Sequence, residues 1–115
     1  MEDRKDILGN YNSYCFYFLE NAISALQEIP EDDVLQDLSK IVGNCAKHLG
    51  DELGLSTAAI DWILFEYPKN IFKQTLGVME EWIRSSKVKP TILMLMKAFQ
   101  SVDGRGLTFL RQKYG

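Results

Sequence analysis

The stretch LGLSTAAIDWILFEYPKNIFKQTLGVMEEW, Leu53 to Trp82, holds two helix starts, a forced corner and a tryptophan in thirty consecutive residues. Leu53-Gly54 is a helix end. A new start follows at once, with Ser56 or Thr57 as the N-cap whose side-chain oxygen accepts an orphan backbone N–H. Ile60, Ile63 and Tyr67 then recur at helical spacing and make one side apolar. Pro68 stops that helix, because it has no N–H and pushes residue 67 out of the α region. Asn70 can start the next helix, whose apolar stripe is predicted at Phe72, Leu76, Met79, Trp82 and Ile83. Trp82 is expected in the core.

Outward from this stretch the chain keeps helical spacing. Residues 1–13 are polar and read as a loose arm. Residues 14–28 carry Tyr14, Phe18, Ala22 and Leu26, with Cys15, Leu19 and Ile23, on one helical face. They are read as a helix added in front of the domain, with the tail of a preceding domain as the alternative. Ile29-Pro30 breaks that helix, and Pro30 is expected in the first turn of the next, where its missing N–H costs nothing. Glu31, Asp32 and Asp33 then suit the positive end of a helix dipole. Val34, Leu35, Leu38, Ile41 and Val42 form an apolar face, which Gly43 weakens before it resumes at Ala46, Leu49 and Leu53. After a polar loop over 84–89, Pro90 is expected to open a helix with Ile92, Leu95, Met96 and Phe99 inward. Asp103 is a candidate N-cap for a last helix that turns Leu107, Leu110 and Tyr114 inward. No period-2 alternation and no internal repeat is present. The expected fold class is all-α, with residues 1–29 as arm and added amphipathic helix and residues 30–115 as one domain.

The 53–82 stretch resembles the second to fourth helices of a death domain, nearest in pattern to the domain of the Fas-associated death-domain adaptor. The resemblance runs without gaps from Leu35 to Leu110. It rests on Val42-Gly43, Leu49, Leu53, Ser56, Ile60-Asp61, Ile63, Tyr67-Pro68-Lys69-Asn70, Trp82, Thr91, Leu95 and Ala98. It implies a six-helix antiparallel death-fold bundle behind the added N-terminal helix, with the first helix bent at Val42-Gly43. The family usually has a tryptophan just after that bend, where this chain has Ala46. The resemblance implies a signalling adaptor that recruits other death-domain proteins, head to tail, in apoptotic or innate-immune signalling. Other members are tails of receptors or parts of receptor-interacting proteins.

Composition narrows the alternatives. Of 115 residues, 46% are hydrophobic and 25% charged, which suits one packed domain and not a disordered chain. No apolar run is long enough to span a bilayer. MEDRKD at the start lacks an apolar signal core, so a cytoplasmic protein is expected. Cys15 and Cys45 then read as free thiols. Charge is uneven: residues 1–55 carry eleven acidic and four basic side chains, net −7, and residues 56–115 five acidic and nine basic, net +4.

No catalytic arrangement is found. His48 is the single histidine, and its one neighbouring soft ligand, Cys45, leaves a metal or nucleophile site without further partners. Asp51-Glu52 and Glu80-Glu81 are adjacent pairs that point apart on a helix. Gly104-Arg105-Gly106 lacks a phosphate loop's context. Neither an enzyme, a cofactor, a metal nor a small-molecule substrate is therefore expected. Basic residues are scattered and the balance is acidic, which disfavours a helical nucleic-acid-binding module, the alternative from a different class. A helix at 14–28 with Glu20 and Glu28 but no basic residue is unsuited to a membrane surface.

A protein-interaction surface remains. Position suggests an acidic set, Asp37, Asp51, Glu52, Asp61 and Glu66, and a basic set, Lys69, Lys73 and Arg84. Tyr67 and Asn70 stand at the corner that the family commonly presents to partners. Acidic Asp51 and Glu52 replace charges that are usually basic in the Fas-adaptor group, so Fas receptor is not the implied partner. Trp62 and Phe65 are displaced from the Ile60/Ile63 side. They are expected either to mark an interface or to be covered by Phe18, Ile23 and Leu26.

Overall fold

The computed structural model of the chain describes residues 24–114. Within them the chain is all-α and no strand occurs. The helices are α1 (Asp32–Ile41), α2 (Ala46–Glu52), α3 (Thr57–Glu66), α4 (Ile71–Ser85), α5 (Ile92–Val102) and α6 (Gly104–Tyr114). Residues 24–26 are also helical. The expectations for Cys15, Phe18 and Ile23 lie outside the described residues.

Local chemistry explains most boundaries. Ser56 caps α3, its Oγ accepting from the Ala59 N–H at 3.1 Å. Asn70 caps α4 in the same way through the Lys73 N–H at 3.0 Å. Pro68 ends α3, and the corner is closed by Gln74, whose Nε2 donates to the Tyr67 carbonyl at 2.8 Å. Lys69 lies in the left-handed region at φ 63°, an uncommon conformation for a side chain other than glycine or asparagine. Gly54, at φ 81°, supplies the left-handed turn after α2 without that steric cost.

Three boundaries differ from the expectations. Gly43 lies in a complete break, because Gly43, Asn44 and Cys45 all stand between α1 and α2. Pro30 precedes the cap residue Glu31 and is buried, so it does not occupy the first helical turn. Likewise Pro90 precedes the true cap of α5. Thr91 holds that position and its Oγ1 accepts from the Met94 N–H at 3.2 Å. In both cases proline fixes the approach to the helix and the next polar residue or carboxylate turn begins it.

The core lies between α2, α4 and the helices around them. α2 packs on α3, α4 and α5; α4 packs on α1, α2 and α3; α6 packs on α5 and α1. Leu38, Leu49, Val78, Met79, Leu95, Phe99 and Leu110 are sealed from solvent, with Trp82 at 2% exposure. The inward face of α4 is Thr75, Val78, Met79 and Trp82, rotated from the expected stripe, in which Phe72, Leu76 and Ile83 are only half-buried. Thr75 is sealed with no hydrogen-bond partner for its hydroxyl among the described residues, a cost of about 1–3 kcal/mol. Ile41, expected inward, is 36% exposed at the end of α1.

Two links hold the periphery. Leu26 packs on the core, and the Ile92 N–H donates to the Glu28 carbonyl at 2.9 Å, so the chain before α1 is tied to the start of α5. Asp103 joins the α5–α6 turn to the break after α1. Its Oδ1 accepts from the Arg105 N–H at 2.9 Å, Oδ2 pairs with the Arg105 guanidinium at 2.8 Å, and the Gly43 N–H approaches Oδ2 at 3.5 Å. The Asp103 side chain is 15% exposed. Arg105 holds its carboxyl well down, at about 2.

Truncating Trp82 to alanine should cost about 3–5 kcal/mol, against a total stability of about 5–15 kcal/mol for a domain. The expected outcome is loss of the cooperative melt followed by circular dichroism; a transition close to the parent's would contradict the core placement. A depressed carboxyl pKa stabilises the folded state above the unfolded value, and that contribution disappears as pH falls through the folded value. Asp103 should therefore contribute about 1–2 kcal/mol at neutral pH, allowing for the exposed guanidinium of Arg105. Urea unfolding should show Asp103→Ala less stable than the parent at pH 7, with the gap narrowing from about pH 4 towards pH 2. A gap independent of pH would contradict the ionic role.

Candidate functional site

The residues expected to meet partners reach the surface from four elements and do not form one patch. Asp37 lies on α1, Asp51 and Glu52 on α2, Asp61 and Glu66 on α3, and Lys73 and Arg84 on α4; all are exposed. Tyr67, Lys69 and Asn70 form the corner between α3 and α4, where Tyr67 is half-buried and the other two are exposed. Several of them meet at this corner, and Glu66, Tyr67 and Arg84 also share the groove beside it. Lys73 Nζ stands 5.7 Å from the centre of the Tyr67 ring, a cation–π distance. Lys73 also gives its backbone N–H to the Asn70 cap. The cap, the proline and the Gln74 hydrogen bond fix this corner, so Lys69 and Lys73 project from a set backbone.

Beside the corner a surface groove of about 600 Å³ runs between α3 and α4. Its floor holds Ala59, Ile63 and Gly77, and Trp62 and Tyr67 stand along it. Glu66, Glu80, Glu81 and Arg84 supply its charge. Glu81 and Arg84 pair with each other one turn apart on α4, and that contact raises the guanidinium pKa further above its ordinary range. Gly77 keeps the floor low: a Cβ there would meet Ile63 Cγ2 at 3.0 Å.

Trp62 and Phe65 are 63% and 76% exposed. Their rings stack, with centroids 6.0 Å apart. Of Phe18, Ile23 and Leu26, expected to cover them, only Leu26 is among the described residues, and it packs on the core. Leu76 and Ile83 are half-buried against the core.

A second groove is lined by Cys45, Lys47, His48 and Asp51 of the α2 region with Leu64 and Gln74. His48 is exposed and faces Glu52 at 3.6 Å, one turn along α2. Burial, and then the Asp103 carboxylate, push the Cys45 thiol up, against a smaller opposite pull from Arg105. Among the described residues no three metal-ligating side chains come together. Nor is any described helix long and apolar enough to cross a membrane.

Sequence reading missed two groups here. Glu80 lines the α3–α4 groove, although the sequence marks it only as one of an adjacent pair that points apart on a helix. Gln74 closes the corner, although nothing in its own spacing marks it. The Glu81–Arg84 pair is legible in hindsight of spacing alone, three residues apart on one helix.

Compared with known proteins, the chain matches no family, no curated protein and no solved structure.

Proposed function

We propose that the chain is a signalling adaptor module of the death-domain type, which recruits other death-domain proteins through charged surface patches. The observation that carries this reading is the α3–α4 corner. Tyr67, Pro68, Lys69 and Asn70 stand there in the order the family presents, with a cap, a proline and a side-chain-to-backbone bond fixing them. The order of six helices after residue 30 supports a six-helix antiparallel death-fold bundle. A helical break after α1 agrees with the bent first helix of that fold, although here the break spans four residues, Val42 to Cys45.

In this reading the exposed carboxylates Asp37, Asp51, Glu52 and Asp61 and the exposed cations Lys69 and Lys73 belong to different patches of one molecule. A contact between unlike patches is heterologous and propagates head to tail instead of closing on itself. Complementary charge sets the encounter rate and excludes wrong partners more than it adds affinity. Work of this kind needs no catalytic group, and a cytoplasmic setting fits it.

The test is affinity capture of a panel of purified death domains by the full chain, with and without nuclease treatment and at two salt concentrations. Capture by the parent should weaken at high salt, and Lys69→Glu or Asp51→Lys should reduce it about tenfold or more for at least one panel member. Capture of nucleic acid alone, or capture unchanged by both reversals in folded protein, would contradict the adaptor reading.

A further inference from the structure

The aromatic pair on α3 and the acidic rim of the adjoining groove belong to one surface. Ile60 and Ile63 face the core, and at roughly 100° per residue Trp62 and Phe65 must then point away from it. Two large rings left open, stacked on each other, form a rigid apolar platform at low conformational cost. Next to it the groove offers an apolar floor over Ile63 and Gly77. Glu66 on α3 and Glu80 on α4 flank that floor, both exposed, and neither has an ion-pair partner among the described residues. Arg84, the groove's one cation, is engaged by Glu81. The surface is therefore apolar at the centre and anionic at the edge.

We propose that the α3–α4 face is a docking site for a basic amphipathic helix of a partner protein. Its apolar side chains would lie on Trp62 and Phe65 and along the groove, and its Lys or Arg side chains would pair with Glu66 and Glu80. Helices commonly bind in this way, apolar face into groove, with anchors at i, i+3 or i+4, and i+7. Charge selects this occupant over others. A second copy docking symmetrically through the same face would bring the Glu66 and Glu80 edges of the two copies together, and like charges across an interface cost several kcal/mol. An anionic lipid surface or a nucleic acid would meet the same repulsion. The proposal goes beyond the adaptor reading and needs no particular fold in either partner.

The probe is a fluorescently labelled amphipathic helix of leucine and lysine, about five turns long, with a leucine–glutamate helix as its counterpart. Binding to the full chain is read by anisotropy at physiological salt. The lysine helix should bind and the glutamate helix should not. Trp62→Ala and Phe65→Ala remove exposed side chains and should fold normally by circular dichroism, yet weaken binding about tenfold. Glu66→Lys combined with Glu80→Lys should weaken it by at least as much. Glu28→Lys combined with Asp33→Lys, the same change in net charge at exposed positions elsewhere, should change it less than about twofold. Equal losses in both charge-reversed proteins, or binding indifferent to Trp62→Ala, would overturn the proposal. So would self-association, or binding of phosphatidylserine vesicles, that Trp62→Ala abolishes. Because the capture variants lie at Asp51 and Lys69, either reading can fail while the other stands.

Discussion

Ile60 seats α3 on the rest of the bundle where Gly50 of α2 has no side chain. A Cβ at Gly50 would meet Ile60 Cγ1 at 2.7 Å and Cδ1 at 2.8 Å, with Val78 of α4 just behind. Only Ile60 and Ile63 of α3 are buried, so this close approach sets how α3 is rotated. Everything α3 shows to solvent follows from that rotation. Asp61, Trp62, Phe65 and Glu66 face outward because two isoleucines face inward. A helix so apolar on average, yet held by so few side chains, has apolar surface left over. The structure leaves it as an open aromatic pair.

The same close approach decides what the surface can do. Gly77 repeats it on the far side of Ile63, and together the two glycines let α2, α3 and α4 lie near enough to leave a groove and not a gap. Phe99 is sealed in the core against Gly106, where a Cβ would fall 2.5 Å from the ring, so α5 and α6 are drawn together independently. Asp103 fastens that turn to the break after α1. The result is a rigid interior with its chemistry spent on packing and caps. Cys45 stays a protonated thiol, and no described carboxylates are set up as an acid–base pair. What the described residues leave to solvent is exposed charge and the exposed aromatic surface of Trp62 and Phe65.

Much of this is legible in the residues. Ser56 and Asn70 announce caps because each precedes an apolar period after a breaker, and each accepts the bond its type favours. Trp82 and the Leu95/Phe99 face follow from spacing alone. The misses have physical causes. The expected α4 stripe passes over Thr75, which packing buries despite its hydroxyl, and over Val78 beside it on the same face. Pro30 and Pro90 read as first helical residues because proline suits that position, while Thr91 takes the cap of α5 with its hydroxyl and Glu31 stands at the cap position of α1 without a side-chain bond. Gly43 signals a weak point, but spacing cannot say that Asn44 and Cys45 leave the helix with it. In the candidate site, the corner is readable as chemistry, whereas the groove is not. Glu66 and Glu80 are fourteen residues apart on different helices, and only tertiary packing makes them neighbours of Trp62.

The central claim is that Trp82 is sealed inside while Trp62 stands open on α3. Collisional quenching of tryptophan fluorescence by iodide in the full chain reads both at once. The account predicts two populations in the parent, one quenched freely and one protected, and only the protected one in Trp62→Phe. A parent with no freely quenched population, or one that keeps it after Trp62→Phe, would contradict the rotation of α3 and with it the surface argued from it.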